Sequence, residues 1–393
     1  MREVAIIGCG MTKFGRHDNE TLMDLLVESS LKAIDDCGSF DGDIESVYVS
    51  SMLAGELNRQ TAIATALTDQ LGLIPAAADR IENGPASGGS AIKTGFMAVA
   101  SGMYDVVLVT GGEKMRHVTG DRITDLVATM THPSGEYIHG VTLPSLAAMF
   151  ARLYMSTYGV TSEDMARVAV KNHSNALMNP YAHIHSKIAL EGILLSREAE
   201  INNPVIADPL RLYDLCPISD GAASIVMCNY ETAKKLSKPI VKIAGCGQAT
   251  DTLAVHERED PTMLKAVKGA SKKAFQMAGL TPGDIDVAEL HDAFTILEIA
   301  ESEDAGFFEK GKGHIALRNG ETSLGGKLPI NTSGGLKARG HPVGATGVSQ
   351  VVELTWQLRG EARDRQVKNA KKAFCCNFGG FGNNVTALVL SGE

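Results

Sequence analysis

The sequence predicts an α/β fold built from two similar halves, and three observations carry that prediction. Apolar runs of strand length alternate with segments of helical spacing. Short sequences near the N-terminus return after the middle of the chain. Several strand-like runs end in glycine-rich turns, the kind of junction at which open α/β sheets bind ligands. The 393 residues suit two or three domain-sized units, or two fused around one core.

Taken in order, residues 3–8 (EVAIIG) read as a buried strand. LMDLLVESSLKAIDDCG (22–38) has helical apolar spacing and a glycine stop. GDIESVYVSS (42–51) is a second strand. DRIENGPASGGSAIKTGFMAVASG (79–102) enters a helix through a Gly/Pro/Ser turn, and YDVVLVTGG (104–112) is a strand ending in glycines. This β-α-β-α-β order predicts a mostly parallel sheet covered by helices.

The second half repeats the first. VAIIGCG at 4–10 returns as VKIAGCG at 241–247, KAIDDCG at 32–38 as KAFQMAG at 273–279, and GDIES at 42 as GDIDV at 283. The predicted division is residues 1–240 and 241–393, with an insertion at about 113–200 in the first half. That insertion is rich in Met, Thr and His, and long irregular segments of this kind are usually lids or binding loops. Within it, TLPSLAAMFARLYMSTYG (142–159) reads as an amphipathic helix with proline near its start. KKAFCCNFGG (371–380) is a late strand that ends in glycines like the one at 104–112.

Composition narrows the function classes. At 44% hydrophobic and 21% charged the chain is globular in character, and its net charge of −9 argues against nucleic acid or an anionic membrane as partner. No apolar run approaches the ~20 residues of a membrane span. REVAIIGCG at the start reads as a strand and lacks the features of a signal peptide. The seven cysteines form no CxxC pair, which fits buried thiols in a reducing cytosol, so a cytoplasmic location is expected. His183 and His185 form an HxH pair without accompanying Cys or carboxylates, so no metal is expected. GCGMTK after the first strand carries Lys13 at the third glycine position of a dinucleotide fingerprint, and Ser29/Ser30 where its acid would fall. This excludes a nicotinamide site of that kind.

The chemistry concentrates in four turns: IENGPASGG (81–89), ELHDAF (289–294), GHPVGATG (340–347) and CCNFGGFGNN (375–384). The third belongs to the glycine-rich stretch NTSGGLKARGHPVGATG (331–347), followed by a helix that starts near Thr346. It holds His341 between Gly340 and Pro342, a rigid placement suited to an acid, a base or a hydrogen-bond donor. His291 and His341 are candidates to converge on one substrate oxygen. Each is equally open to a structural role on spacing alone.

These motifs resemble the thiolase superfamily, most closely its sterol-carrier-protein-type and archaeal members, along nearly the whole chain. GHPVGATG resembles that family's GHPxGATG loop, HDAF its HDCF or NEAF loop, LCPISDGAAS (215–224) its CSPxSDGAAA turn, and IENGPASGG its nucleophile loop. The resemblance implies a duplicated thiolase fold, a five-layer α-β-α-β-α core with a loop domain. It also implies a dimer or tetramer that acts on coenzyme A thioesters without a bound cofactor.

The departures redirect the expected chemistry. The family's nucleophilic cysteine falls on Pro85, the cysteine of HDCF on Ala293, and the acid/base cysteine of the C-x-G loop on Asn377, leaving Cys376 one residue out of register. Proline offers no nucleophile, and no N–H for the oxyanion hole that the family completes with the residue matching Gly379. Ser87 lies two residues beyond Pro85 and has no evident base. By resemblance, His291 and His341 hydrogen-bond the thioester oxygen as it becomes an enolate. The expected function is thus C–C bond making or breaking alpha to a coenzyme A thioester without a covalent intermediate. Aldol or retro-aldol chemistry and direct thiolysis by free coenzyme A both fit, on a bulky or branched acyl group, with Cys376 or Asp292 as candidate proton carriers. The alternative is a non-catalytic subunit that binds acyl-CoA or scaffolds a complex. Members of the subgroup often work with a small zinc-ribbon/OB-fold subunit, so one is expected here.

Overall fold

The computed structural model describes residues 1–40, 42–195, 198–236 and 238–393. Among the described residues nine strands form one sheet: β1 (Val4–Met11), β2 (Ser46–Ser50), β3 (Ala77–Ile81), β4 (Val106–Glu113), β7 (Gly221–Asn229), β8 (Val241–Thr250), β9 (Val287–Glu289), β10 (Lys372–Gly379) and β11 (Asn384–Gly392). A short hairpin, β5 (Val205–Ala207) with β6 (Leu210–Arg211), stands apart in the insertion. The order in the large sheet is β3-β2-β4-β7-β1-β8-β11-β10-β9.

Both sides of the β1–β8 seam follow one plan. Moving outward, β1–β7 and β7–β4 are antiparallel and β4–β2 parallel; likewise β8–β11 and β11–β10 are antiparallel and β10–β9 parallel. The expectation of a mostly parallel sheet is therefore corrected. β7 lies antiparallel between β4 and β1, and β11 antiparallel between β10 and β8, and nothing local in either strand announces its partners.

The repeated sequences mark a repeated contact. A Cβ on Gly8 would lie 2.0 Å from the carbonyl oxygen of Ala33, and one on Gly245 2.0 Å from that of Ala274. Gly10 and Gly247 meet the same two turns of helix. The Leu22–Asp36 helix thus seats on β1, and the Lys265–Ala278 helix on β8, at a distance that admits no side chain.

Two helices fill the centre. Ser87–Ser101 and Thr346–Arg359 are buried over most of their length, and both touch strands from either side of the seam, so the sheet folds around them. They meet each other where a Cβ on Gly347 would come within 2.4 Å of the Gly89 nitrogen, and one on Gly88 within 2.9 Å of the Gly347 nitrogen. With helices outside each half of the sheet, this gives the five α-β-α-β-α layers. The Gly/Pro/Ser turn leads into the Ser87–Ser101 helix as the sequence predicts. Residues 77–81 are the edge strand β3, parallel to β2, and the Gly/Pro turn separates that strand from the helix.

The insertion between β4 and β7 carries helices at Gly120–Ala128, Leu143–Tyr158 and Ser162–Ala176. Its segment 129–142 holds only a short turn of helix at Tyr137–His139. The Leu143–Tyr158 helix opens with a capping box from Thr142 to Ser145 and buries Leu146, Phe150 and Tyr154 in the outer core. No helix among the described residues is long and apolar enough to cross a membrane.

Candidate active site

The turns singled out by sequence meet at the N-terminal ends of the two central helices. The turn 82–86 leads into Ser87, the loop 340–345 into Thr346, the loop 290–294 follows β9, and residues 377–381 close β10. A cavity of about 250 Å3 lies among them, lined by Pro85, Cys216, His291, Phe294, His341 and Phe378 with further apolar residues of the insertion. A larger cavity of about 820 Å3, lined by Arg80, Glu82, Asn83, Asp251, Gly379 and Asn383, lies beside it and contains neither imidazole. Met130 and Gly380 line both.

The imidazoles of His291 and His341 stand perpendicular, with ring centroids 5.0 Å apart. His291 is locked in one tautomer by a chain of donors. The Gly89 N–H donates to Asn377 Oδ1 at 3.0 Å, and Asn377 Nδ2 donates to the Pro85 carbonyl at 3.0 Å, which fixes the amide's orientation. The same Nδ2 lies 3.2 Å from His291 Nδ1, and the Phe378 N–H donates to that nitrogen at 3.4 Å. A backbone N–H can only donate, so Nδ1 accepts and the neutral ring carries its proton on Nε2. The Phe378 ring stacks on His291 at 5.3 Å, and the His291 N–H donates to Glu301 Oε2 at 2.9 Å.

His341 is held differently. Its Nδ1 lies 2.6 Å from Thr346 Oγ1, and the Thr346 hydroxyl is also 3.0 Å from the Pro342 carbonyl. If the single hydroxyl proton goes to the carbonyl, His341 donates from Nδ1 and presents a bare Nε2. If it goes to the ring, Nε2 carries the proton. Burial, followed by the Arg339 guanidinium, brings His341 down to about 3. Burial, then His341 and Arg339, holds His291 well below the usual histidine range. Both rings are neutral at physiological pH.

The other expected site residues lie around this pair. Pro85 lines the cavity wall and has only its carbonyl to offer. Ser87 is buried, donates its hydroxyl to the Gly84 carbonyl and accepts the Asn83 N–H at 2.8 Å, which ties it into the turn. Cys376 points away from Asn377 into the outer core, as the pleat dictates; burial, then Glu301, pushes its thiol far up. Asp292 is also buried, accepting the Leu336 N–H at 2.6 Å and Asn172 Nδ2 at 2.7 Å, and burial with neighbouring Glu298 pushes it up. Neither Cys376 nor Asp292 lines the cavity. A Cβ on Gly379 would lie 2.8 Å from the Asn83 carbonyl oxygen, so only glycine lets the end of β10 approach the turn at 82–86.

Sequence reasoning missed Thr346, Phe378 and Glu301; it placed Asn377 with Gly379 in the oxyanion loop but not as the residue that fixes the His291 tautomer. Thr346 carried a signal, since a hydroxyl at the start of a helix sits one turn after the histidine. His183 and His185 do not act together: His183 Nδ1 meets Ser219 Oγ at 2.8 Å and His185 Nε2 the Asn179 carbonyl at 2.7 Å. Among the described residues no group of three or more His, Cys, Asp or Glu is placed to hold a metal ion.

Residues 4–231 match the thiolase N-terminal domain and residues 247–392 the thiolase C-terminal domain-like family. This chain belongs to the thiolase family. It is 44% identical to the acetyl-CoA acetyltransferase of Methanothermobacter thermautotrophicus over the full length of both chains. It is 33% identical to sterol carrier protein 2 of Oryctolagus cuniculus, across 99% of this chain and 72% of that protein. Among solved structures, the Ltp2-ChsH2(DUF35) aldolase superposes with a TM-score of 0.84 at 27% identity, covering 99% of this chain and 98% of the other. The thiolase fold and the sterol-carrier-type subgroup are thereby established, and the family is one that uses coenzyme A thioesters as substrates.

Proposed function

We propose that this thiolase-family chain makes or breaks a carbon–carbon bond alpha to a coenzyme A thioester through an enolate, without an acyl-enzyme intermediate. The observation that carries the reading is Pro85 facing the same cavity as two neutral imidazoles. Acyl transfer through the protein needs a nucleophile at that turn and an N–H beside it, and proline supplies neither. Loss of one oxyanion donor typically removes ~2.7–4 kcal/mol of transition-state stabilisation. Enolate chemistry needs only what remains. His291 donates from Nε2 to the thioester oxygen as negative charge develops there, and a neutral imidazole N–H suits an enolate because it is too weak an acid to give its proton up outright. His341 adds a second donor in one tautomer. In the other its bare Nε2 accepts the proton of a β-hydroxyl group, which is the base that retro-aldol cleavage requires.

The apolar lining of the cavity supports a bulky or branched acyl group, and the aldolase relative supports aldol or retro-aldol chemistry over thiolysis. That relative is a complex with a DUF35 subunit, which supports a small partner of that kind here; a homodimeric or tetrameric core in the cytoplasm completes the proposal. Purified chain, alone and with a DUF35-type partner, should cleave β-hydroxyacyl-CoA, and β-ketoacyl-CoA only when free coenzyme A is added. Radiolabelled acyl-CoA should leave no stable label on the denatured protein. Label mapped to Ser87 or a cysteine would overturn the non-covalent reading. Binding of acyl-CoA with no cleavage under any of these conditions would favour the non-catalytic subunit instead.

A further inference from the structure

Any enolate released by C–C cleavage must receive a proton at its α-carbon, and the histidines are engaged at the oxygen end. Among the described residues lining the cavity, the side chains with an exchangeable proton are Thr124, Cys216, His291 and His341. Thr124 spends its hydroxyl on the Gly120 carbonyl of its own helix, at 2.9 Å. Cys216 is the thiol on the cavity wall, and it is half-buried, whereas Cys375 and Cys376 are fully enclosed.

Its placement is built rather than incidental. The Cys216 N–H donates to the Ala293 carbonyl at 2.9 Å, and Leu215 bridges to Phe294, so the turn at 215–217 is stitched to the loop that carries His291. Lys337, four residues before His341, lies behind this turn. It is buried, its ammonium sits 5.6 Å from the centre of the Tyr213 ring, and no hydrogen-bond acceptor reaches its Nζ among the described residues. A cation so enclosed favours the charged form of any acidic group beside it. The charged and titratable neighbours are Cys216, Asp292 and Asp214, with His173 facing Lys337 from the Ser162–Ala176 helix. Of the charged groups around Cys216, Lys337 acts most strongly and favours the thiolate, while Cys216 in turn favours the ammonium.

We propose that Cys216 is the acid that protonates the α-carbon of the enolate, and that Lys337 is a positioning cation that stabilises the thiolate left behind. The inference rests on the enolate reading above. In the cleavage direction the β-hydroxyl proton passes to His341 Nε2 and the C–C bond breaks. Its electron pair becomes the enolate, held at oxygen by His291. The α-carbon then forms a bond to the Cys216 Sγ proton. The thiolate regains a proton from the His341 imidazolium through water, so no further reactant is consumed. In the reverse direction the thiolate removes the α-proton. Burial pushes the free thiol up to about 12, so it enters the cycle protonated, as an acid should; Lys337 is brought down to about 8 by burial and remains mostly charged below that pH.

The test is exchange of the α-hydrogens of a saturated acyl-CoA in D2O, read by mass spectrometry, alongside acyl-CoA binding. Cys216→Ala should lower exchange by ~100-fold or more with binding retained, the range expected for a lost general acid. Cys216→Ser, nearly isosteric, should fall by a similar factor. Lys337→Met should abolish the alkaline decline near pH 8 and slow exchange throughout, and Lys337→Arg should recover most of the rate and shift that decline upward. Exchange by Cys216→Ala within threefold of wild type, with His341→Ala inactive, overturns the assignment to Cys216 but leaves the enolate reading intact. A wild-type chain that binds acyl-CoA and exchanges nothing overturns both.

Discussion

The two central helices begin with the same device put to different uses. At Ser87 a hydroxyl in the first turn bonds back to the Gly84 carbonyl and takes the Asn83 N–H; at Thr346 a hydroxyl in the first turn bonds back to the Pro342 carbonyl and meets an imidazole. The first hydroxyl ties only its own turn together, while the second orients an imidazole that faces the cavity. Pro85 and Pro342 stiffen both. Pro85 puts no nucleophile on the first turn, so on the function proposed above the chemistry falls to the second half.

Four experiments break or sharpen that contrast. The largest effect is expected from His341→Ala, which should lower kcat/KM by ~1,000-fold or more with the fold intact, since it removes a donor or base at the reacting oxygen. Retained turnover in this variant removes His341 from the mechanism. Pro85→Cys returns a thiol and an N–H to the silent turn; stable acyl label should then appear at residue 85 and nowhere in the parent. Packing comes next. Gly8→Ala and Gly245→Ala should each destabilise by ~1–3 kcal/mol or more in denaturant titrations, because helix and strand must separate. A large difference between the two would show that the halves tolerate strain unequally. The smallest effects distinguish the hydroxyls. Thr346→Val should cost about tenfold in kcat/KM with little change in Tm, whereas Ser87→Ala should lower stability by ~1 kcal/mol with activity unchanged.

Acidity gives an independent check. His173 and His183 are brought down to about 4 and His341 to about 3, in each case chiefly by burial. Between about pH 6.5 and 3 the unfolded chain therefore binds protons that the folded one does not, and these three groups lower stability as pH falls through that window. The acid limb of kcat/KM should consequently lack an inflection near 6.5. Finding one there would mean that a histidine of ordinary acidity limits turnover. Glu113 acts in the opposite sense. Burial raises it to about 7 although four donors from Ser51, Met52, Leu53 and Gly344 reach its carboxylate, so its contribution to stability declines as pH rises from about 4.5 to 7.

Much of this was legible in the sequence where the information is local. Glycines that allow helix to touch strand recur as GCG, and the turns holding His291 and His341 are written in contiguous residues. What was hidden is long-range. Asn377 fixes the tautomer of His291, yet its partners are Gly89 and Pro85, 288 and 292 residues away. The strand order was hidden for the same reason, because β7 and β11 reverse the expected direction through contacts outside any local window. Cys376 looked close to the chemistry in number, but one residue along a strand is the opposite face of the sheet. Cys216 sits inside the contiguous LCPISDGAAS motif, but its place on the cavity wall depends on the distant Ala293 carbonyl that holds its N–H.

The contact between Gly88 and Gly347 has a mechanical consequence. With no side chain between them, the starts of both helices share one backbone junction, so neither reactive loop can swing aside to admit a bulky guest. Entry must be negotiated by the opposite wall, where Met130, Leu143 and Pro144 of the insertion face the cavity. Amide exchange should accordingly be slowest at 86–90 and 345–349 and fastest across 129–142, and acyl-CoA should slow only the latter. On that expectation the insertion wall yields while the helix junction holds, and the wall can change with the acyl group without disturbing the junction.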